Sequence, residues 1–136
     1  MLTTKLIHPQ IMAALANCGH GDKILIADGN YPLDSKSGDM AELVYLGLKP
    51  GMPGVTDVLE ALLSVAVFEK AEVMEPGDGS TPEIFGDFTS MLGGMELDRL
   101  GRYEFYDACC EPDVKLTIST GEKRTFANVL LTVGCA

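Results

Sequence analysis

Apolar positions along the chain fall into short, separated runs whose spacing switches between a helical and an extended period. Ile11, Met12, Ala14 and Leu15 recur at helical spacing, Pro9 suits a first helical turn and Gly19 a stop, which predicts a helix over residues 9–18. The run Lys23-Ile24-Leu25-Ile26-Ala27 is apolar without alternation, the pattern of a strand covered on both faces. A loop rich in Gly, Pro, Asp and Ser over 29–40 leads to a second short strand at 42–46. Pro50-Gly51-Met52-Pro53-Gly54 then turns into a helix over 56–64, with Thr56 placed to cap it and Asp57 favourable in its first turn.

Ala71-Glu72-Val73-Met74 reads as the end of a strand, and 75–82 is the most polar, turn-rich stretch of the chain. Helices are predicted over 82–92 and 103–110, the latter setting Tyr103, Tyr106 and Cys110 on related faces. Residues 114–119 alternate at period two, Gly121-Glu122-Lys123 supplies turn chemistry, and 125–133 is a further β-rich run. Helices alternating with strands predict an α/β fold. Too few residues follow the polar loop at 75–82 for a second core, so residues 1–136 read as a single domain.

Composition narrows the function classes. A chain of 136 residues can bury roughly two-thirds of its unfolded surface without disulfide or metal staples. Twenty acidic against ten basic residues give a net charge of −10 with no Lys/Arg stripe, so the electrostatic footprint of a nucleic-acid binder is missing. No apolar run approaches the ~18 residues needed to span a bilayer, and the chain is expected in the cytoplasm, away from membranes. Cys18, Cys109, Cys110 and Cys135 contain no CxxC pair and are read as reduced thiols. Cys18 and His20 are the only hint of a metal pair, and no ligand set with zinc-type spacing follows them.

Candidate chemistry gathers around the first strand. His20, between Gly19 and Gly21, precedes it, and Asp28 ends it. Imidazole titrates nearest neutrality, and the carboxyl ends of strands are where open α/β sheets bind ligands. The pair suggests proton transfer on a small molecule. Other readings of the same residues stand beside it: His20 as a cap at the end of the first helix, Asp28 as an Asx-turn residue, Arg102 as a surface charge paired with Glu104 or Asp107. Glu72, Glu75, Asp78, Glu83 and Asp87 form no compact repeat and are read as solvated surface. The glycines of Gly19-His20-Gly21 precede a strand, whereas a dinucleotide fingerprint must follow one, and neither a phosphate-binding GxxxxGK[ST] loop nor a G-x-S-x-G elbow occurs.

Gly19-His20-Gly21-Asp22, the strand ending Ala27-Asp28 with Pro32 shortly after, Arg102-Tyr103-x-Phe105-Tyr106, and Thr120-Gly121-Glu122 followed by Ala127-Asn128-Val129-Leu130-Leu131 resemble, in order, the D-ribose pyranase and L-fucose mutarotase family. The resemblance implies a three-layer α/β/α fold with a largely parallel central sheet, ring-shaped homo-oligomers, often decamers, and interconversion of sugar anomers or ring forms without a cofactor. It places His20 on the catalytic histidine and Asp28 on a sugar-binding carboxylate. Arg102 falls on a pocket position that is arginine in the fucose branch and histidine in the ribose branch, which favours the former. Phe126 stands where both branches commonly carry tyrosine, and Asn128 matches the asparagine two residues later. Tyr106 is a further candidate for the pocket wall. The expected activity is an L-fucose mutarotase acting by general acid/base opening of the hemiacetal. The alternatives are a D-ribose pyranase, a non-catalytic monosaccharide-binding accessory to transport, or a structural ring-forming protein.

Overall fold

The computed structural model describes residues 1–136. The first helix, α1 (Pro9–Ala16), starts where expected because Pro9 occupies its first turn and His8 caps it, the imidazole accepting from Ile11 N at 3.3 Å. It is followed by β1 (Lys23–Ala27), β2 (Glu42–Tyr45), α2 (Val55–Leu63), β3 (Phe68–Met74), α3 (Glu83–Met91), β4 (Leu97–Leu100), α4 (Arg102–Cys109), β5 (Val114–Ser119) and β6 (Val129–Val133). Thr56 does not cap α2. The helix begins one residue earlier, after Gly54, because the Asp57 carboxylate reaches back to Gly54 N at 2.8 Å and Glu122, from the other end of the chain, accepts from Val55 N at 3.3 Å. No helix is long and apolar enough to cross a membrane.

The six strands form one sheet in the order β2-β5-β1-β6-β3-β4. β2, β5 and β1 run parallel, as do β3 and β4, while β6 runs antiparallel to both β1 and β3. The sheet is therefore mixed and largely parallel, and the reversal of β6 follows from its connection. β5 ends at Ser119 beside Ala27, and the chain folds back over the carboxyl ends of β1 and β5 before descending from Val129 beside Ile26. Thr120 pins that return, its hydroxyl donating to Ala27 O at 2.8 Å. The β-rich run at 125–133 thus becomes a strand only from Val129, its first four residues being spent on the return loop. β4 escaped the sequence pattern because it is a four-residue edge strand with Asp98 and Arg99 at its centre, the charged, short design by which edges resist further pairing.

Each face of the sheet carries its own core. Ile24, Ile26, Leu116, Ile118, Val129 and Leu131 pack under α1, α2 and α3, against Ile11, Leu59, Leu62 and Phe88. Leu25, Ala27, Leu130 and Met74 pack on the opposite face under Phe105 and Cys109 of α4 and under Tyr31 and Leu33 of the loop after β1. Alternate residues of β1 thus point to opposite cores, and Ile24 to Ala27 are each wholly buried. Truncating any of these large side chains to Ala would cost about 2–5 kcal/mol. Glu72 departs from its expected solvated position: it is 6 % exposed on the second face, with Lys70 Nζ at 3.4 Å and Lys23 Nζ at 3.9 Å. Two lysines on neighbouring positions of the sheet make that burial tolerable; Glu75 is half-buried, and Asp78, Glu83 and Asp87 are exposed.

Candidate active site

Asp28 is the first residue beyond β1, where the strand ends and the return loop crosses it. It is 2 % exposed, and backbone donors hold both its oxygens: Asn30 N reaches Oδ1 at 2.8 Å and Ala127 N reaches Oδ2 at 3.2 Å. The first of these is an Asx turn, so the turn and the site share one carboxylate. Burial raises its pKa above the ordinary aspartate value, against the opposing pull of the hydrogen bonds from Asn30, Ala127, Tyr31 and Asn128. Asn128 is equally buried, and its Oδ1 accepts from Asp28 N at 2.7 Å. Because that N–H needs an acceptor, the amide oxygen must face it, and the Asn128 NH2 group is left to donate, lying against the Asp28 carboxylate in the lining of the hollow.

Immediately before Ala127 and Asn128, the two return-loop partners of Asp28, comes Phe126, the one non-glycine residue with positive φ, at 58°. The left-handed conformation costs roughly 1–2 kcal/mol for an L side chain. It turns the loop so that Ala127 N meets Asp28 while the Phe126 ring borders an open hollow. The hollow has a volume of about 210 Å³. Its polar lining comes from Asp28, Asn30, Thr125 and Asn128, and its apolar lining from Phe126, Met74, Tyr31 and Tyr106. Arg102, in the first turn of α4, stands at the rim with its guanidinium 5.8 Å from the centre of the Tyr106 ring. It makes no ion pair with Glu104 or Asp107; the helix instead sets Arg102 and Tyr106 one turn apart on the face that borders the hollow. Tyr31 and Tyr106 meet edge to face with ring centres 5.6 Å apart, and the Tyr31 hydroxyl donates to Lys36 O at 2.8 Å. Larger surface clefts exist, one of about 670 Å³ between α3 and β4, but this hollow is where the buried Asp28 carboxylate and the Asn128 amide stand beside Phe126, Tyr31 and Tyr106.

Five of the residues singled out from the sequence, Asp28, Arg102, Tyr106, Phe126 and Asn128, therefore converge on one hollow. His20 does not. It lies before the amino end of β1, and at ~3.3 Å per residue the strand alone separates it from Asp28 by more than about 13 Å. Gly21, at φ 92°, turns the chain from His20 into the strand, its N–H bonded to Val133 O at 2.9 Å. His20 is exposed and does not cap α1, which ends on Asn17; its Nε2 lies 2.9 Å from Glu69 Oε1 instead. Neighbouring Cys18 donates its thiol to Ala14 O at 3.3 Å. Asn30, Tyr31, Met74 and Thr125 were not anticipated in the lining. Met74 carried a usable signal as the last residue of a strand, at the carboxyl end where such sheets bind ligands.

Comparison with known proteins agrees with this architecture. The model of the RbsD / FucU transport protein family matches residues 1–136. A D-ribose pyranase from Paracidovorax citrulli is 33 % identical over 141 residues, covering 98 % of each chain. The solved structure of Bacillus subtilis RbsD complexed with D-ribose aligns with a TM-score of 0.85 at 29 % identity, over 100 % of this chain and 99 % of that one. A fucose mutarotase in complex with L-fucose from Streptococcus pneumoniae aligns with a TM-score of 0.83 over the same shares of the two chains, and at 24 % identity that likeness carries the fold alone.

Proposed function

Because the chain belongs to the RbsD / FucU transport protein family, we propose that it is an isomerase interconverting the anomers or ring forms of a monosaccharide, with no cofactor in the reaction. The observation that carries this reading is the hollow at the carboxyl end of β1, where a buried carboxylate and a side-chain amide stand beside aromatic walls. Alternating hydroxyls and C–H faces of a sugar ring match such a mixture of acceptor, donor and apolar surface. Asp28 accepts hydrogen bonds from sugar hydroxyls, Asn128 and Arg102 donate them, and Phe126 and Tyr106 cover an apolar face of the ring.

The chemistry is a pair of proton transfers. The anomeric hydroxyl loses its proton while the ring oxygen gains one, the C1–ring oxygen bond opens to an aldehyde, C1 turns, and the same steps in reverse close the ring on its other face. A group titrating near neutrality serves both directions, with water or a second polar group completing the relay, and contributes ~10²–10⁴-fold. His20 is the acid/base residue in this reading. It lies at the opposite end of β1 from its substrate, so the site requires a second copy of the chain to bring its own His20 to the mouth of the hollow. Val65 and Val67, exposed near the start of β3 at the same end of the sheet as His20, offer apolar surface for such a contact, within the ring-shaped homo-oligomer implied by the family.

L-Fucose is the favoured sugar, because Arg102 occupies the rim and Phe126 with Met74 presents apolar surface to a deoxy methyl group. D-Ribose is the second reading, favoured by the relative named as a D-ribose pyranase. Exchange NMR on both sugars, with wild type and His20→Ala side by side, tests the proposal. Acceleration of exchange by wild type and its loss in the variant support it, and the faster sugar decides between the branches. Exchange at the buffer rate with wild type on both sugars would overturn catalysis and leave a binding accessory.

A further inference from the structure

The imidazole of His20 and the carboxylate of Glu69 are 49 residues apart in sequence and 2.9 Å apart in space. Three local features produce that contact. β6 lies between β1 and β3, and its end ties down both partner segments: Gly21 N donates to Val133 O at 2.9 Å, and Gly134 N donates to Val67 O at 2.8 Å. The β3–β6 register slips between Phe68 and Lys70, leaving Glu69 as the extra residue of the ladder. Such a bulge re-aims a side chain at the edge of a site. Gly134 then leaves the room, since a Cβ at that position would stand 3.2 Å from the Glu69 Cβ.

A carboxylate can only accept, so the Nε2 that faces it must carry the hydrogen. In the opposite tautomer two lone pairs would face each other at 2.9 Å. The neutral ring therefore keeps its lone pair on Nδ1, turned away from Glu69. We infer that Glu69 is a positioning residue for the acid/base step: it fixes the His20 tautomer and ring orientation so that Nδ1 is the nitrogen presented to the sugar oxygen. This rests on the proposed role of His20. When Nδ1 takes the proton of the anomeric hydroxyl, the imidazolium so formed keeps Nε2–H on the carboxylate and returns the Nδ1 proton when the ring closes. Glu69 itself gains and loses nothing.

Long-range ¹H–¹⁵N NMR of the free, full-length protein reads the tautomer directly, and exchange NMR on the same variants reads the rate. Wild type is expected to show His20 protonated on Nε2 when neutral, and Glu69→Ala a mixture of tautomers. The same change should lower kcat for sugar exchange by about 10- to 100-fold with KM unchanged, as for other residues that act through a neighbour. Glu69→Gln, whose amide oxygen still accepts from Nε2, should restore the tautomer and part of the rate. Wild-type tautomer and rate in Glu69→Ala, with His20→Ala inactive, would overturn the inference and leave the acid/base reading standing. Wild-type activity in His20→Ala would instead remove the reading on which it rests, while the NMR spectra would still report whether Glu69 sets the ring.

Discussion

The two ends of β1 are built on different terms. At the carboxyl end, Asp28 is buried, both its oxygens are held by backbone N–H groups, and Asn128 is held in turn by the Asp28 backbone. At the amino end, His20 is exposed on a glycine-flanked turn, and one side-chain contact, to Glu69, orients it. The first arrangement fixes the lining of the hollow before any ligand arrives and spends local strain at Phe126 to do so. The second leaves a titratable group where another molecule can meet it. Under the proposed function, binding and proton transfer are separated along one strand, and an assembled site needs both ends.

That contrast makes the variants behave differently. His20→Ala should abolish rate acceleration, a loss of about 10²-fold or more, while stability stays within about 0.5 kcal/mol of wild type in chemical denaturation. A large drop in stability would mean that the exposed end is structural after all. Asp28→Ala should lose both, because the Asn30 and Ala127 N–H groups forfeit their acceptor, at a cost of about 1–3 kcal/mol alongside the loss of sugar binding by calorimetry.

pH sharpens the comparison within the buried end. The folded protein binds the Asp28 proton more tightly than the unfolded chain does, so this residue contributes stability that is fully present below the ordinary value of 3.8 and is lost as pH rises through its raised folded value. Asp28→Asn should remove that slope from the pH dependence of unfolding. Glu122 acts in the opposite sense. Its carboxylate accepts from Arg124 Nε at 3.0 Å and from Val55 N at 3.3 Å, and the Arg124 side chain, the largest cause, holds its pKa down at about 2. Its contribution is present above the ordinary value of 4.5 and is lost as pH falls towards about 2, so Glu122→Gln should flatten that acid limb and cost about 1–2 kcal/mol near neutrality. Phe126→Gly should move stability least, within about 1 kcal/mol, because relief of the left-handed strain offsets the added chain freedom of glycine. Its effect should appear as weaker sugar binding.

Sequence reasoning found what local pattern controls and missed what the return loop decides. The uninterrupted apolar run at 23–27 announced a strand buried on both faces, and the punctuation by Pro9 and Gly19 placed α1 to within two residues. Motif order was enough to bring Asp28, Arg102, Tyr106, Phe126 and Asn128 together, although they come from three separate segments. It placed His20 before the first strand and Asp28 at its end, yet joined them as one proton-transfer pair, which the extended strand between them keeps apart within one chain. Spacing could not reveal that Glu72 is buried between two lysines, that Glu122 caps a helix 67 residues away, or that a register slip at Glu69 aims it at His20. All three depend on which strands become neighbours.

The claim that two copies share one site is best tested by complementation. His20→Ala and Asp28→Ala chains, each inactive alone, would be co-expressed with different tags, and the mixed assemblies purified on both tags and assayed by exchange NMR. If each site takes His20 from one copy and Asp28 from another, random mixing restores about a quarter of the sites, and activity returns to that level. If both residues act within one chain, no mixed assembly contains an intact site. Activity would then stay at the background of the separate variants, contradicting the account.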